Sequence, residues 1–71
     1  MGIRKIQNEI GRRLKNLRLE QNFSQEFVSA EVKISRDHLS NLENGKYPIN
    51  IKTLYKLAEF YNVGLKHFFD D

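Results

Sequence analysis

The sequence has no cysteine, no tryptophan, one proline and four glycines in 71 residues. Without cysteine there is neither a disulfide framework nor a thiolate metal site, and a reducing, cytoplasmic setting fits. No apolar run approaches the roughly 20 residues that a membrane-spanning helix needs. The first residues, MGIRKIQNEIGRR, lack the apolar segment of a secretory signal. There is no internal repeat and no low-complexity stretch. The two histidines, His38 and His67, lie far apart, with no metal-ligand cluster and no nucleophile–base constellation around them. An enzyme is therefore not expected, nor a metal, a cofactor or a membrane partner, and no small-molecule effector site is evident.

What is present is charge and helical periodicity. Twelve Lys and Arg against nine Asp and Glu give a formal net charge of +3. That balance suits an anionic partner without requiring one. A chain of this length has room for one small domain, spanning 1–71. Its core is marginal, so helices with short connections are favoured and burial in a dimer would help.

The chain is organised around Ser24 to Lys46, SQEFVSAEVKISRDHLSNLENGK. Ser24 is a good N-cap, followed by Gln25 and Glu26 in a first turn. Val28 and Val32 then recur at i, i+4, one apolar stripe of a short helix. Lys33-Ile34 breaks the run, and Ser35 caps again with Asp37 in the next first turn, where the helix dipole favours an acid. Leu39 and Leu42 form the inward stripe of this second helix. Asn44-Gly45 stops it, since both residues tolerate the left-handed conformation. Helix, tight turn, helix over about 24–45 is the helix-turn-helix arrangement, whose second helix can enter the DNA major groove.

On either side the pattern stays helical. Ile6, Ile10, Leu14 and Leu17 predict an amphipathic helix from about Gln7 to Gln21. Asn50 caps a further helix with Ile51, Leu54, Leu57, Ala58 and Tyr61 inward and Asn62 as its stop. A last short helix runs from Leu65 to about Phe69, followed by an acidic end at Asp70-Asp71. Five helices leave no room for a strand, so the expected class is all-α.

Several polar residues are functional candidates. Arg36, Asp37, Ser40 and Asn41 point away from Leu39 and Leu42, with His38 between. Arginine and asparagine are the types that read guanine and adenine edges with two hydrogen bonds. Asp37 has two open roles, accepting from cytosine or orienting Arg36. Gln25, at an open helix N-terminus, is either a solvated residue or part of an anion site. Arg18 and Glu43 each flank an apolar stripe and are natural partners for a partly buried ion pair. Phe60, Leu65, Phe68 and Phe69 offer more apolar surface than one short helix hides, which points to a two-fold homodimer interface; folding of Phe68 and Phe69 into the core is the alternative.

IGRRLKNLRLEQNFSQ, ISRDHLSNLENGK and TLYKLAEFYNVGLKHFF resemble the Cro/repressor-type helix-turn-helix family, across about residues 9 to 69. That family includes lambdoid phage repressors and restriction–modification controller proteins. The resemblance implies a compact five-helix, lambda-repressor-like domain that binds pseudo-palindromic double-stranded DNA as a homodimer. It implies base contacts from Ser35, Arg36, Asp37, Ser40 and Asn41. It implies phosphate contact by Gln25 and by the Asn44–Lys46 loop, and a buried Arg18–Glu43 pair; His38 reads as a surface residue near the DNA. Ser29 and Lys33 depart from the usual alanine and glycine. The expected function is a sequence-specific transcription regulator. The alternative is a protein-interaction module or antitoxin of the same fold, using Phe27, Tyr47, Phe60 or Phe69.

Overall fold

The computed structural model describes residues 2–69. The expected acidic end at Asp70-Asp71 lies outside the described residues. Four α-helices follow one another: α1 (Ile3–Glu20), α2 (Gln25–Val32), α3 (Arg36–Glu43) and α4 (Ile51–Tyr61). A single 3₁₀ turn, Leu65–Phe68, closes the described chain. The fifth helix expected from the pattern is thus a 3₁₀ turn and not an α-helix. Among the described residues there is no strand.

Local hydrogen bonds set the boundaries. Ser24 Oγ accepts from the Phe27 N–H, Ser35 Oγ from the His38 N–H and Asn50 Oδ1 from the Thr53 N–H, so α2, α3 and α4 all begin on a side-chain cap. A left-handed residue follows each α-helix: Asn22, Lys33, Gly45 and Asn62, at φ of 59°, 62°, 70° and 59°. After α3 the Gly45 N–H reaches Leu42 O and the Lys46 N–H reaches Asn41 O, which together satisfy two orphan carbonyls. Lys33 makes the same kind of closure with a Cβ, at a cost of about 1 kcal/mol.

The core is built from one stripe of each helix: Ile10, Leu14 and Leu17; Val28 and Val32; Leu39 and Leu42; Leu54, Leu57, Ala58 and Tyr61. Phe68 fills it from the terminal turn. Ser29 is buried, and its hydroxyl donates to the Glu26 carbonyl one turn back, so its polar atom is satisfied inside the helix pair. Two expected core residues stay outside. Ile6 lies on the α1 stripe but is 41% exposed, because the helix begins a turn before the core it covers. Ile51, in the first turn of α4, is also exposed.

α1 crosses α3 closely at Gly11. A Cβ there would overlap the Leu42 carbonyl oxygen and stand 2.6 Å from that of Glu43. No side chain fits between these two backbones. One and two turns further along α1, the contact passes to side chains. Arg18 Nε and Nη2 donate to Glu43 Oε2 and Oε1 at 2.8 and 3.1 Å, a two-pronged pair. Arg18 Nη1 donates to the Phe23 carbonyl at 2.9 Å, tying in the loop before α2. The side chains are 10% and 1% exposed. The Glu43 hydrogen bonds raise the guanidinium pKa further above its ordinary value, against the effect of burial.

Tyr61 lies next to this pair in charge terms. Its hydroxyl is buried without a hydrogen-bond partner among the described residues. Burial, and secondarily the Glu43 charge, push its pKa up to about 12, with Arg18 pulling the other way.

Two outcomes are expected. Arg18→Ala or Glu43→Ala leaves the other charge buried and alone, which costs about 3–5 kcal/mol. Urea unfolding measures it; a loss under about 0.5 kcal/mol, the size of neutral surface changes, contradicts burial of the pair. For Tyr61 the folded pKa lies above the unfolded value of 10.0. Its contribution is therefore complete below pH 10 and is lost as pH rises towards 12. Wild type should lose stability through that window relative to Tyr61→Phe, which is expected to be at least as stable at pH 7 because it buries no unsatisfied hydroxyl. Parallel pH curves for the two proteins would contradict the assignment.

Candidate nucleic-acid interface

α2 and α3 are joined only by Lys33, Ile34 and Ser35, which ties the C-terminal end of α2 to the start of α3. Val28 and Val32 hold α2, and Leu39, Leu42 and Glu43 hold α3, all buried. The opposite side of α3 is what the fold presents. Ser35, Arg36 and Asp37 are exposed at its start, while His38, Ser40 and Asn41 are half-buried along it. Leu39 and Leu42 turn inward as their spacing requires, which leaves the Arg36–Ser40 side outward.

Arg36 does not extend freely. Its Nη2 donates to Asp37 Oδ1 at 3.2 Å, and its Nε stands 3.9 Å from Glu26 Oε2 at the start of α2. Asp37 therefore holds Arg36 in the free protein. These are exposed pairs, worth little in stability, but they aim a fork-shaped donor group from the end of α3. Ser35 has a structural duty as well, since its hydroxyl oxygen caps α3.

Gln25 departs from the simple picture of an outward-facing amide. It is half-buried, and its Nε2 donates to Glu43 Oε1 at 3.1 Å. The first residue of α2 is thereby attached to the buried pair between α1 and α3. Glycine spacing and charge pattern carry no signal for this contact; only the close approach of α2 and α3 brings together residues 18 apart in sequence. Asn44 and Lys46 are exposed on the loop after α3. Gly45 between them is buried, and a Cβ there would overlap the Asn8 side chain on α1. The loop is thus seated against α1 at a glycine with φ of 70°.

The four apolar residues expected at a dimer surface do not lie together on the outside. Phe68 is 1% exposed and belongs to the core of its own protomer, which corrects its assignment to an interface. In a 3₁₀ turn residues i and i+3 share a side, so Phe68 follows Leu65 inward and Phe69 is left out, 56% exposed. Phe60 is half-buried in an aromatic group with Phe23, Phe27 and Tyr61, at ring separations of 5.8, 6.3 and 5.1 Å. Leu65 is half-buried, and Tyr55, which the pattern did not single out, is exposed on α4.

Among the described residues no three His, Cys, Asp or Glu side chains are grouped to hold a metal ion. None of the helices is long and apolar enough to cross a membrane. His67 is exposed, and its carbonyl accepts from Arg13 Nη1 at 3.2 Å.

Comparison with known proteins places this geometry. A helix-turn-helix family profile matches residues 14–68. Control protein C.MunI from Mycoplasma sp is 33% identical over 67 residues, 93% of this chain and 90% of that protein. An uncharacterised helix-turn-helix-type transcriptional regulator from Archaeoglobus fulgidus is 33% identical over 57 residues, 80% of each chain. Among solved structures, the restriction-modification controller protein C.AhdI from Aeromonas hydrophila superposes with a TM-score of 0.81 at 23% identity, over 86% of this chain and 92% of that one. That likeness is one of fold.

Proposed function

This chain belongs to the helix-turn-helix family, and we propose that it is a sequence-specific, double-stranded DNA-binding transcription regulator. The observation that carries the proposal is the exposed start of α3. A helix locked into the core by Leu39, Leu42 and Glu43 turns Arg36 outward beside an open α2 N-terminus. In this reading α3 lies in the major groove. Arg36 reads guanine O6 and N7, and Ser35, Asp37, Ser40 and Asn41 line the same face. Gln25, Asn44, Lys46 and His38 meet the backbone on either side. The name of C.MunI, a control protein, supports a regulatory role, and we place that role in the cytoplasm. Occupancy then follows the protein's own concentration through dimerisation.

The protomers pair about a two-fold axis on a pseudo-palindromic operator. With Phe68 inside the core and Phe60 packed towards α2, the surface for this contact centres on Phe69, with Leu65 and the exposed Tyr55 as further candidates. The second reading is a protein-interaction module or antitoxin. It is favoured by one observation: Phe27 remains exposed although its ring packs 4.8 Å from Phe23. Selection of bound sequences from a random DNA pool separates the two, since an interaction module enriches no motif.

Arg36→Ala is expected to cost about 1–3 kcal/mol on the selected operator and to relax preference at one position per half-site. Lys46→Ala should weaken operator and scrambled DNA alike and lower the salt slope by about one unit per lost contact. Binding of both variants across a salt series tests this; intact operator preference in Arg36→Ala contradicts the placement of α3.

Sedimentation at micromolar concentration should show a dimer. Phe69→Glu should convert it to a folded monomer whose melting no longer depends on concentration, whereas Phe68→Ala should lower stability by about 3–5 kcal/mol. A wild-type monomer contradicts the assembly.

A further inference from the structure

Gln25 is the one DNA-facing candidate whose side chain is attached to the buried interior. Its Nε2 donates to Glu43 Oε1, the oxygen that also accepts from Arg18 Nη2. Glu43 Oε2 accepts from Arg18 Nε. The carboxylate is 1% exposed, so neither it nor the attached amide proton has water as a competing partner on that side. A glutamine amide carries two N–H donors and one acceptor. One donor is spent on Glu43, which fixes the rotation of the amide and leaves a second donor with a defined direction. The residue is the first of α2. Ser24 Oγ caps the Phe27 N–H and Ser24 O takes the Val28 N–H, so the Gln25 and Glu26 backbone N–H groups stand at the same helix end without an intrahelical acceptor.

The rest of the geometry suits an anion at that place. Glu43 alone would set a negative charge behind a phosphate. Arg18 neutralises it with two hydrogen bonds, so the carboxylate acts as an acceptor without acting as a net repulsive charge. Glu26, in the same first turn, has its carboxylate beside Arg36 at 3.9 Å. A lysine in place of Gln25 would form an ion pair with Glu43. The neutral amide instead accepts orientation from Glu43 and keeps a donor to give.

Resting on the proposal that this face binds DNA, we infer that Glu43 is a positioning residue for backbone contact. Buried and neutralised by Arg18, it aims the Gln25 amide at a phosphate. The pair between α1 and α3 therefore has a role in binding that is separable from its role in stability.

The separation can be measured. Glu43→Ala is expected to lose most of the domain's stability, so the pair is replaced whole by Arg18→Met/Glu43→Leu, an apolar exchange that buried pairs commonly tolerate. Duplex operator and scrambled duplex are the probes. Gln25→Ala in the wild-type background should weaken both about tenfold, as loss of one hydrogen bond to a charged group implies. The double replacement should weaken both by about the same factor while operator preference stays intact. Adding Gln25→Ala to it should then change affinity less than about twofold. A double replacement that binds like wild type, with Gln25→Ala still costing tenfold in it, overturns the inference and leaves the DNA-binding proposal standing. A wild-type protein that binds neither duplex, or binds operator and scrambled duplex equally, overturns that proposal instead. Should the double replacement fail to fold, wild-type ¹⁵N relaxation of the Gln25 side-chain amide decides. An ordered amide in the free protein that shifts on adding scrambled duplex supports the inference, and a freely averaging one overturns it.

Discussion

The Arg18–Glu43 pair is the constraint on which the mutual placement of α1, α2 and α3 depends. Three of the four α-helices meet at it: α1 supplies the guanidinium, α3 the carboxylate, and α2 the Gln25 amide. The loop before α2 is held by the third nitrogen of the same arginine, through the Phe23 carbonyl. A hydrophobic core alone tolerates sliding of helices that are only two turns long. Directional hydrogen bonds to a buried carboxylate do not, because each misalignment strands a charge in a low-dielectric interior. A small domain with two eight-residue helices thus obtains a definite geometry from one polar site.

Sharp helix ends serve the same purpose. Three of the four left-handed closures are made by Asn or Gly, the residues that adopt this conformation at least cost. Lys33 is the exception, and it stands in the turn between α2 and α3. That turn is held by the burial of Val32 and Leu39 on either side and not by its own preference.

The parts of the fold that rest on contacts within one turn were legible in the sequence. Ser24, Ser35 and Asn50 cap where expected, and Gly45 and Asn62 stop their helices. α3 begins and ends at the expected Arg36 and Glu43. The ion pair was legible too, because each partner flanked an apolar stripe, and the outward side of α3 followed from Leu39 and Leu42. What escaped depends on neighbours that periodicity does not name. Ile6 and Ile51 fit a stripe but reach past the elements that would cover them. Gly11 looked like any helical glycine, yet it is where two backbones touch. The choice between Phe68 and Phe69 turned on a three-residue period, which an α-helical template does not contain. Of the candidate site, the side of α3 could be deduced, but the link from Gln25 to Glu43 could not, since it joins two helices by tertiary approach alone.

The contact at Gly11 also limits how the molecule can adapt. α3 rests on α1 without an intervening side chain and is bolted to it again at Arg18, so α3 has no soft layer on which to tilt. Within a protomer, tilting α3 towards α1 would drive one backbone into the other. If the protomers pair on DNA as proposed, half-sites of different spacing or twist would have to be accommodated at the joint between protomers or in the DNA. On the proposed reading, compliance, and with it tolerance for variant operators, would be a property of the dimer seam and not of α3.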